Sequence, residues 1–117
     1  MVEPELKLKN GEELVKTLEA LGFKVELRVL WEVTMGYHER LMATKEVGSY
    51  TILVDCMPAH GKITDTCYIN AIPTTAPEIH TQTPPEPSVV TSMLLKVERD
   101  ARKYDKMLKR FVCKTKC

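Results

Sequence analysis

From Phe23 to Val33 apolar and polar residues alternate. Phe23, Val25, Leu27, Val29, Trp31 and Val33 fall on one set of positions; Lys24, Glu26, Arg28 and Glu32 fall on the other. A period of two puts the sets on opposite faces of an extended chain, so a half-buried strand of an antiparallel sheet is expected, with Trp31 anchoring the core. Leu30 alone interrupts the polar face and hints at contact with a second subunit. The same period runs through Leu41, Ala43 and Val47, through Tyr50, Ile52 and Val54, and through Ile63, Cys67, Ile69 and Ala71. Gly36, Gly48-Ser49 and the stretch from Met57 to Gly61 carry the turn chemistry between these strands. Turns so spaced imply a meander of adjacent strands. A short alternation, Leu6 and Leu8, predicts a further edge strand over residues 5–9.

Twice the period lengthens to that of a helix. Leu14, Val15, Leu18 and Leu21 share one face over residues 11–21, Asn10 and Glu13 resemble a capping box, and Gly22 suits the helix C-terminus. Val90, Met93, Leu94, Val97, Ala101, Tyr104, Leu108 and Phe111 recur over about six turns of 3.6 residues, with Ser88 as the expected N-cap. A helix this long exceeds a small sheet, so its far end is expected to overhang. Between strands and helix, five of the seven prolines lie from Pro73 to Pro87. Proline lacks a backbone donor, so an extended crossing loop without regular structure is predicted over 72–88.

The expected fold is α+β: an antiparallel four- to five-stranded sheet (meander) with an N-terminal helix and a long C-terminal helix packed on one face. The 117 residues make a single domain, 1–117, with 113–117 as a flexible tail. Hydrophobic residues at 44% and charged residues at 28% exclude wholesale disorder. The apolar runs are only a few residues long, so no membrane span is expected. The N-terminus is acidic and lacks an apolar segment, so the expected location is intracellular, cytoplasmic by default.

Charge changes the picture. The formal net charge is +1, yet Leu95–Cys117 holds nine of the 17 basic residues and three of the 16 acidic ones, net +6, which leaves −5 for the rest. Lys96, Arg99, Arg102, Lys103, Lys106, Lys109 and Arg110 fall on the polar side of the long helix and form the candidate binding face. The partners that fit are a second copy or an acidic protein; nucleic acid is the less favoured partner, because few aromatic side chains accompany the basic ones.

Candidate catalytic chemistry is sparse. Cys56 and Cys67 are separated by ten residues and Cys113 and Cys117 by three, unlike the tight pairs of a zinc knuckle. The expectation is unpaired thiols, then a Cys113–Cys117 disulfide, and only then structural zinc. His38, His60 and His80 lie in predicted turns and loops, in no metal-binding pattern, and no phosphate-cradling glycine loop occurs. No cofactor is expected. At the N-terminus, Glu3, Glu5 and Lys7 alternate, so all three share one strand face. This pattern, followed by a helix ending at Ala20-Leu21-Gly22, resembles the start of the CYTH triphosphate-tunnel family. The resemblance implies a metal-dependent triphosphate hydrolase with Glu3 and Glu5 as metal ligands and Lys7 on the triphosphate. Arg28, Arg40, Lys45 and Lys62 do not form the basic rows that such a tunnel uses. The order of helix, strand meander, proline-containing crossing and closing helix also resembles RWD and ubiquitin-conjugating-like domains, without their Tyr-Pro-x-x-x-Pro or His-Pro-Asn motifs. Taken together, the expected function is non-enzymatic binding through the basic C-terminal helix, with self-association. The triphosphate hydrolase and nucleic-acid binding are the alternatives.

Overall fold

The computed structural model describes residues 8–32, 36–58, 65–73 and 79–116, with backbone alone at 29, 30, 32, 36–39, 73, 79, 80, 108 and 111–116. The chain runs α1 (Gly11–Ala20), β1 (Lys24–Glu32), β2 (Gly36–Val47), β3 (Tyr50–Met57), β4 (Thr66–Pro73), β5 (Ile79–Thr83) and α2 (Pro87–Lys116). The strands form one antiparallel sheet in the order β1-β2-β3-β4-β5. This is the expected α+β meander with five strands.

Register explains the core. Ala43, Val54 and Ile69 lie in one cross-strand row, and Leu41, Cys56 and Cys67 in the next. Along β3, Tyr50, Ile52, Val54 and Cys56 are buried while the residues between them are half-buried. Leu14 and Leu18 of α1 and Val90, Leu94, Val97 and Ala101 of α2 complete the same cluster, so both helices cover one face of the sheet. Each fully buried aliphatic side chain in it contributes about 1.5–3 kcal/mol.

The ends of α1 follow from local chemistry. The Phe23 N–H donates to the Leu18 carbonyl at 2.9 Å and the Gly22 N–H to the Glu19 carbonyl at 3.0 Å, a Schellman closure. It places Gly22 at φ 90°, which glycine adopts without a steric cost. The N-terminus differs from the capping-box expectation. Asn10 has the left-handed φ of 58° and caps no helix N–H with its side chain. Its Nδ2 instead donates to the Pro85 carbonyl at 3.1 Å, tying the start of α1 to the segment before α2.

Several expectations are corrected. The strand over 5–9 is absent in its described part: Leu8 is buried, and Lys9 and Asn10 form a turn whose Lys9 N–H donates to Asp65 at 2.8 Å. Residues 5–7 lie outside the described residues. Gly36 opens β2 and does not mark the turn. The proline-rich crossing is not structureless, because Ile79–Thr83 forms β5 against Cys67–Ala71. Pro84 follows this strand, and β5 is at the sheet edge, where flanking prolines break no ladder. A strand of five residues is too short to display a period. Ser88 is not the cap; Pro87 takes the first helical position, where a missing N–H costs nothing. The helix continues through Lys116, so 113–116 belong to α2 and not to a separate tail.

Cys56 and Cys67 are not free thiols. They face each other across β3 and β4 with a Cα–Cα distance of 4.0 Å and form a buried disulfide. Sequence spacing did not expose this, because the pairing is created by strand register. Trp31 does not anchor the core and is 60% exposed, as Leu27 is 57% exposed on the same face. Phe23 is buried and Val25 packs against the core, so cover by the helices ends between Val25 and Leu27. The β1–β2 hairpin runs on beyond them.

Candidate binding surface on the C-terminal helix

The inner side of α2 is fixed to the sheet side of the fold by two polar contacts above the apolar core, Lys45 to Glu98 and Ser49 to Asp105. Lys45, on the covered face of β2, donates from Nζ to the Leu21 carbonyl at 2.8 Å and to both Glu98 carboxylate oxygens at 3.3 Å. Its ammonium also lies 5.8 Å from the centre of the Phe23 ring, within cation–π range. One lysine thus joins the C-terminal end of α1, the sheet and α2. Arg102, one turn beyond Glu98, donates to the same carboxylate at 2.8 Å. Farther along, Asp105 is buried and accepts the Ser49 N–H at 3.0 Å, while Lys109 approaches it at 3.2 Å. Gly48 makes that approach feasible. At φ 61° it is left-handed, and a Cβ there would sit 2.5 Å from Asp105 Oδ2.

These contacts set the acidity of both carboxyls. Burial alone would raise Glu98, but hydrogen bonds from Arg102 and Lys45, with their charges, outweigh it and hold the carboxyl below its ordinary value. Asp105 is held low chiefly by the Ser49 side chain, then by Lys109 and the Ser49 backbone N–H. An unfolded chain protonates these groups near their ordinary values of 4.5 and 3.8, before the folded chain does. Their stabilising contribution is therefore whole above that range and is lost as pH falls through it and through the lower folded values. Urea unfolding from neutral pH down to about pH 3 is expected to show a decline beginning near pH 4.5, shallower in the Glu98→Gln, Asp105→Asn double variant.

The outer side of α2 carries the seven basic residues singled out from the sequence. Lys96, Arg99, Arg102, Lys103, Lys106, Lys109 and Arg110 are all exposed. The structure separates them into two groups. Arg102 and Lys109 are paired with Glu98 and Asp105, and Arg99 lies 3.9 Å from Asp100. Among the described residues, Lys96, Lys103, Lys106 and Arg110 have no carboxylate partner.

Apolar surface lies among them. Leu95 is 55% exposed, and a shallow hollow is lined by Leu95, Glu98, Arg99, Arg102, Lys103 and Lys106, whose spacings of three and four residues make one helical stripe. Met107 and Tyr104 are exposed as well. Tyr104, on the apolar stripe of α2, is 38% exposed and stands next to Asp105, the last described buried residue of the helix. Leu95 was missed, although its signal was present. Of two consecutive leucines on a helix, only one can face the core, since neighbours diverge by about 100°.

Glu3, Glu5, Lys7, Val33, His60, Lys62, Ile63 and Cys117 lie outside the described residues, as do the side chains of Leu30, His38, His80, Leu108, Phe111 and Cys113. Arg28 pairs with Glu26 at 2.9 Å, and Arg40 makes a two-point contact with Asp55 at 3.2 and 2.7 Å. With Lys45 on Glu98, each of the described sheet residues Arg28, Arg40 and Lys45 has a carboxylate partner. Among the described residues no group of His, Cys, Asp and Glu is arranged to hold a metal ion, and no helix is long and apolar enough to cross a membrane. No known family model matches this chain, and no curated protein or solved structure matches it either.

Proposed function

We propose that the chain is a non-enzymatic binding protein and that the outer face of α2 takes an acidic polypeptide segment, with one apolar side chain of that segment seated on Leu95. The observation that carries this reading is the set of basic side chains with no carboxylate partner among the described residues, Lys96, Lys103, Lys106 and Arg110, on a helix that also exposes Leu95 and Met107. Burial of the inner face and the Glu98 and Asp105 contacts hold the helix in place, so the outer face is presented without a backbone ordering cost at binding. Cationic side chains around an apolar floor suit an amphipathic acidic segment better than a phosphate backbone, which has no apolar group to offer.

The test compares two labelled peptides of equal length and charge, one all-acidic apart from glycine spacers and one with leucine at every fourth position, and a DNA duplex. Tighter binding of the leucine-bearing peptide is expected, weakening as salt rises. Lys103→Glu with Lys106→Glu should weaken it about tenfold or more by removing attraction and adding repulsion. Leu95→Ser should abolish the preference between the two peptides. No peptide binding at low salt overturns the proposal. Tighter binding of the duplex, indifferent to Leu95→Ser, overturns it in favour of nucleic acid.

A further inference from the structure

Among the described residues no strand lies on the outer side of β1, which is an edge of the sheet, and its pairing with β2 runs without interruption from Lys24↔Thr44 to Glu32↔Gly36. The strand contains no proline, and its register shows no bulge, two of the devices that blunt an edge against pairing. On the covered side of the sheet its Leu27 and Trp31 are exposed. On the open side Arg28 turns back along its own strand to Glu26, with Nη2 2.9 Å and Nε 3.1 Å from one carboxylate oxygen.

We infer that β1 pairs antiparallel with β1 of a second copy about a two-fold axis through Leu27, continuing the sheet from one subunit into the next. The pleat allows only registers that oppose residues of like parity, because parity sets both the face and the edge toward which backbone groups point. Three such registers pair at least seven of the nine residues. Centring on Arg28 sets that arginine against itself. Centring on Val29 sets Glu26 against Glu32. Centring on Leu27 sets Glu26 against Arg28 twice, Val25 against Val29 twice, Leu27 against itself and Lys24 against Leu30. It also carries exposed Trp31 to Phe23 of the second copy. The register centred on Arg28 also opposes Lys24 and Glu32, so the Leu27 register is distinguished from the other two because it alone sets no like charges against each other. Each Arg28 then has a carboxylate across the strand boundary as well as along its own strand. An isologous contact of this kind closes as a dimer and leaves no further β1 edge to extend.

This contact does not involve α2 and does not rest on the peptide-binding reading. Sedimentation of the full chain over micromolar to submillimolar concentrations is expected to show a monomer–dimer equilibrium. Arg28→Glu, which sets like charges opposite each other at two places, should weaken the dimer about tenfold or more. Glu26→Arg should do the same, and the double exchange Glu26→Arg, Arg28→Glu should restore it. Leu27→Lys, placing two ammonium groups on the axis, should leave a monomer. All three positions are exposed, and circular dichroism of the monomeric variants checks that they remain folded. A chain that is monomeric throughout overturns the inference. So does a dimer indifferent to Arg28→Glu and Leu27→Lys, or a folded double exchange that stays monomeric. A dimer lost instead on Lys103→Glu with Lys106→Glu places the contact on α2 and also overturns it. Acidic-peptide binding measured on Arg28→Glu reports separately on the α2 surface.

Discussion

Leu94→Ala is expected to lower the unfolding free energy by about 2–5 kcal/mol, while Leu95→Ala, the next residue along, changes it by less than about 0.5 kcal/mol. The two substitutions delete the same atoms from the same helix. They differ in surroundings: Leu94 is 2% exposed within the core cluster, and Leu95 stands on the outer face. Removing Leu94 loses the transfer free energy of its side chain and leaves a cavity between α2 and the sheet that close-packed neighbours refill only in part. Removing Leu95 uncovers no core, and alanine is the better helix former. Urea unfolding with a common slope separates the two, because a shift in midpoint at constant slope is a change in stability. Equal losses would mean that α2 is not docked by the face described. The opposite ranking is expected for acidic-peptide binding, where Leu95→Ala is the damaging change. The pair of residues therefore tests the division of α2 into a structural side and a binding side.

Reduction of the Cys56–Cys67 disulfide is expected to destabilise the chain by about 3 kcal/mol. The partners are 11 residues apart in sequence, and a cross-link closing a loop of about that length removes roughly 3 kcal/mol of chain entropy from the unfolded ensemble. Urea midpoints with and without reductant, in a chain carrying Cys113→Ser and Cys117→Ser, measure this directly. In the same chain, unfolded and alkylated without reductant, both remaining cysteines should stay unmodified. Two alkylated cysteines and coincident midpoints would show that the strands are joined by hydrogen bonds and packing alone. Structural disulfides persist in oxidising compartments and are rare in a reducing cytosol. The oxidation state of this pair in cells therefore tests the expected intracellular location, which was reasoned from a segment containing neither cysteine.

Much of the fold was legible because burial repeats with the geometry of each element. The period of two through Tyr50, Ile52 and Val54 and the 3.6-residue period through Val90, Leu94, Val97 and Ala101 name the residues that are buried. Gly22 was legible for a local reason, since helix closure there needs a left-handed residue. The seven exposed basic residues of α2 were legible too, because charged groups stay on the wet side of a half-buried helix. Asn10 was misassigned because capping chemistry is short-range, whereas its partner carbonyl, Pro85, is 75 residues away. Lys45 carried no signal: its place on the covered face becomes reasonable only with Leu21 and Glu98 around it.

By itself, then, the sequence determined which residues alternate, which share a helix face and where the charge is concentrated, all properties of local geometry and side-chain chemistry. Tertiary structure decided how far the helices reach over the sheet, and with that the exposure of Leu27 and Trp31. It decided which strand lies beside which, and so joined Cys56 to Cys67 and left β1 at an edge. It also decided which cations are neutralised, since Glu98 and Asp105 engage Arg102 and Lys109 and leave Lys103 and Lys106 without a carboxylate among the described residues. The physical reason is common to all three. Periodicity specifies which side of an element is apolar, but coverage, pairing and charge compensation depend on residues brought together from distant parts of the chain.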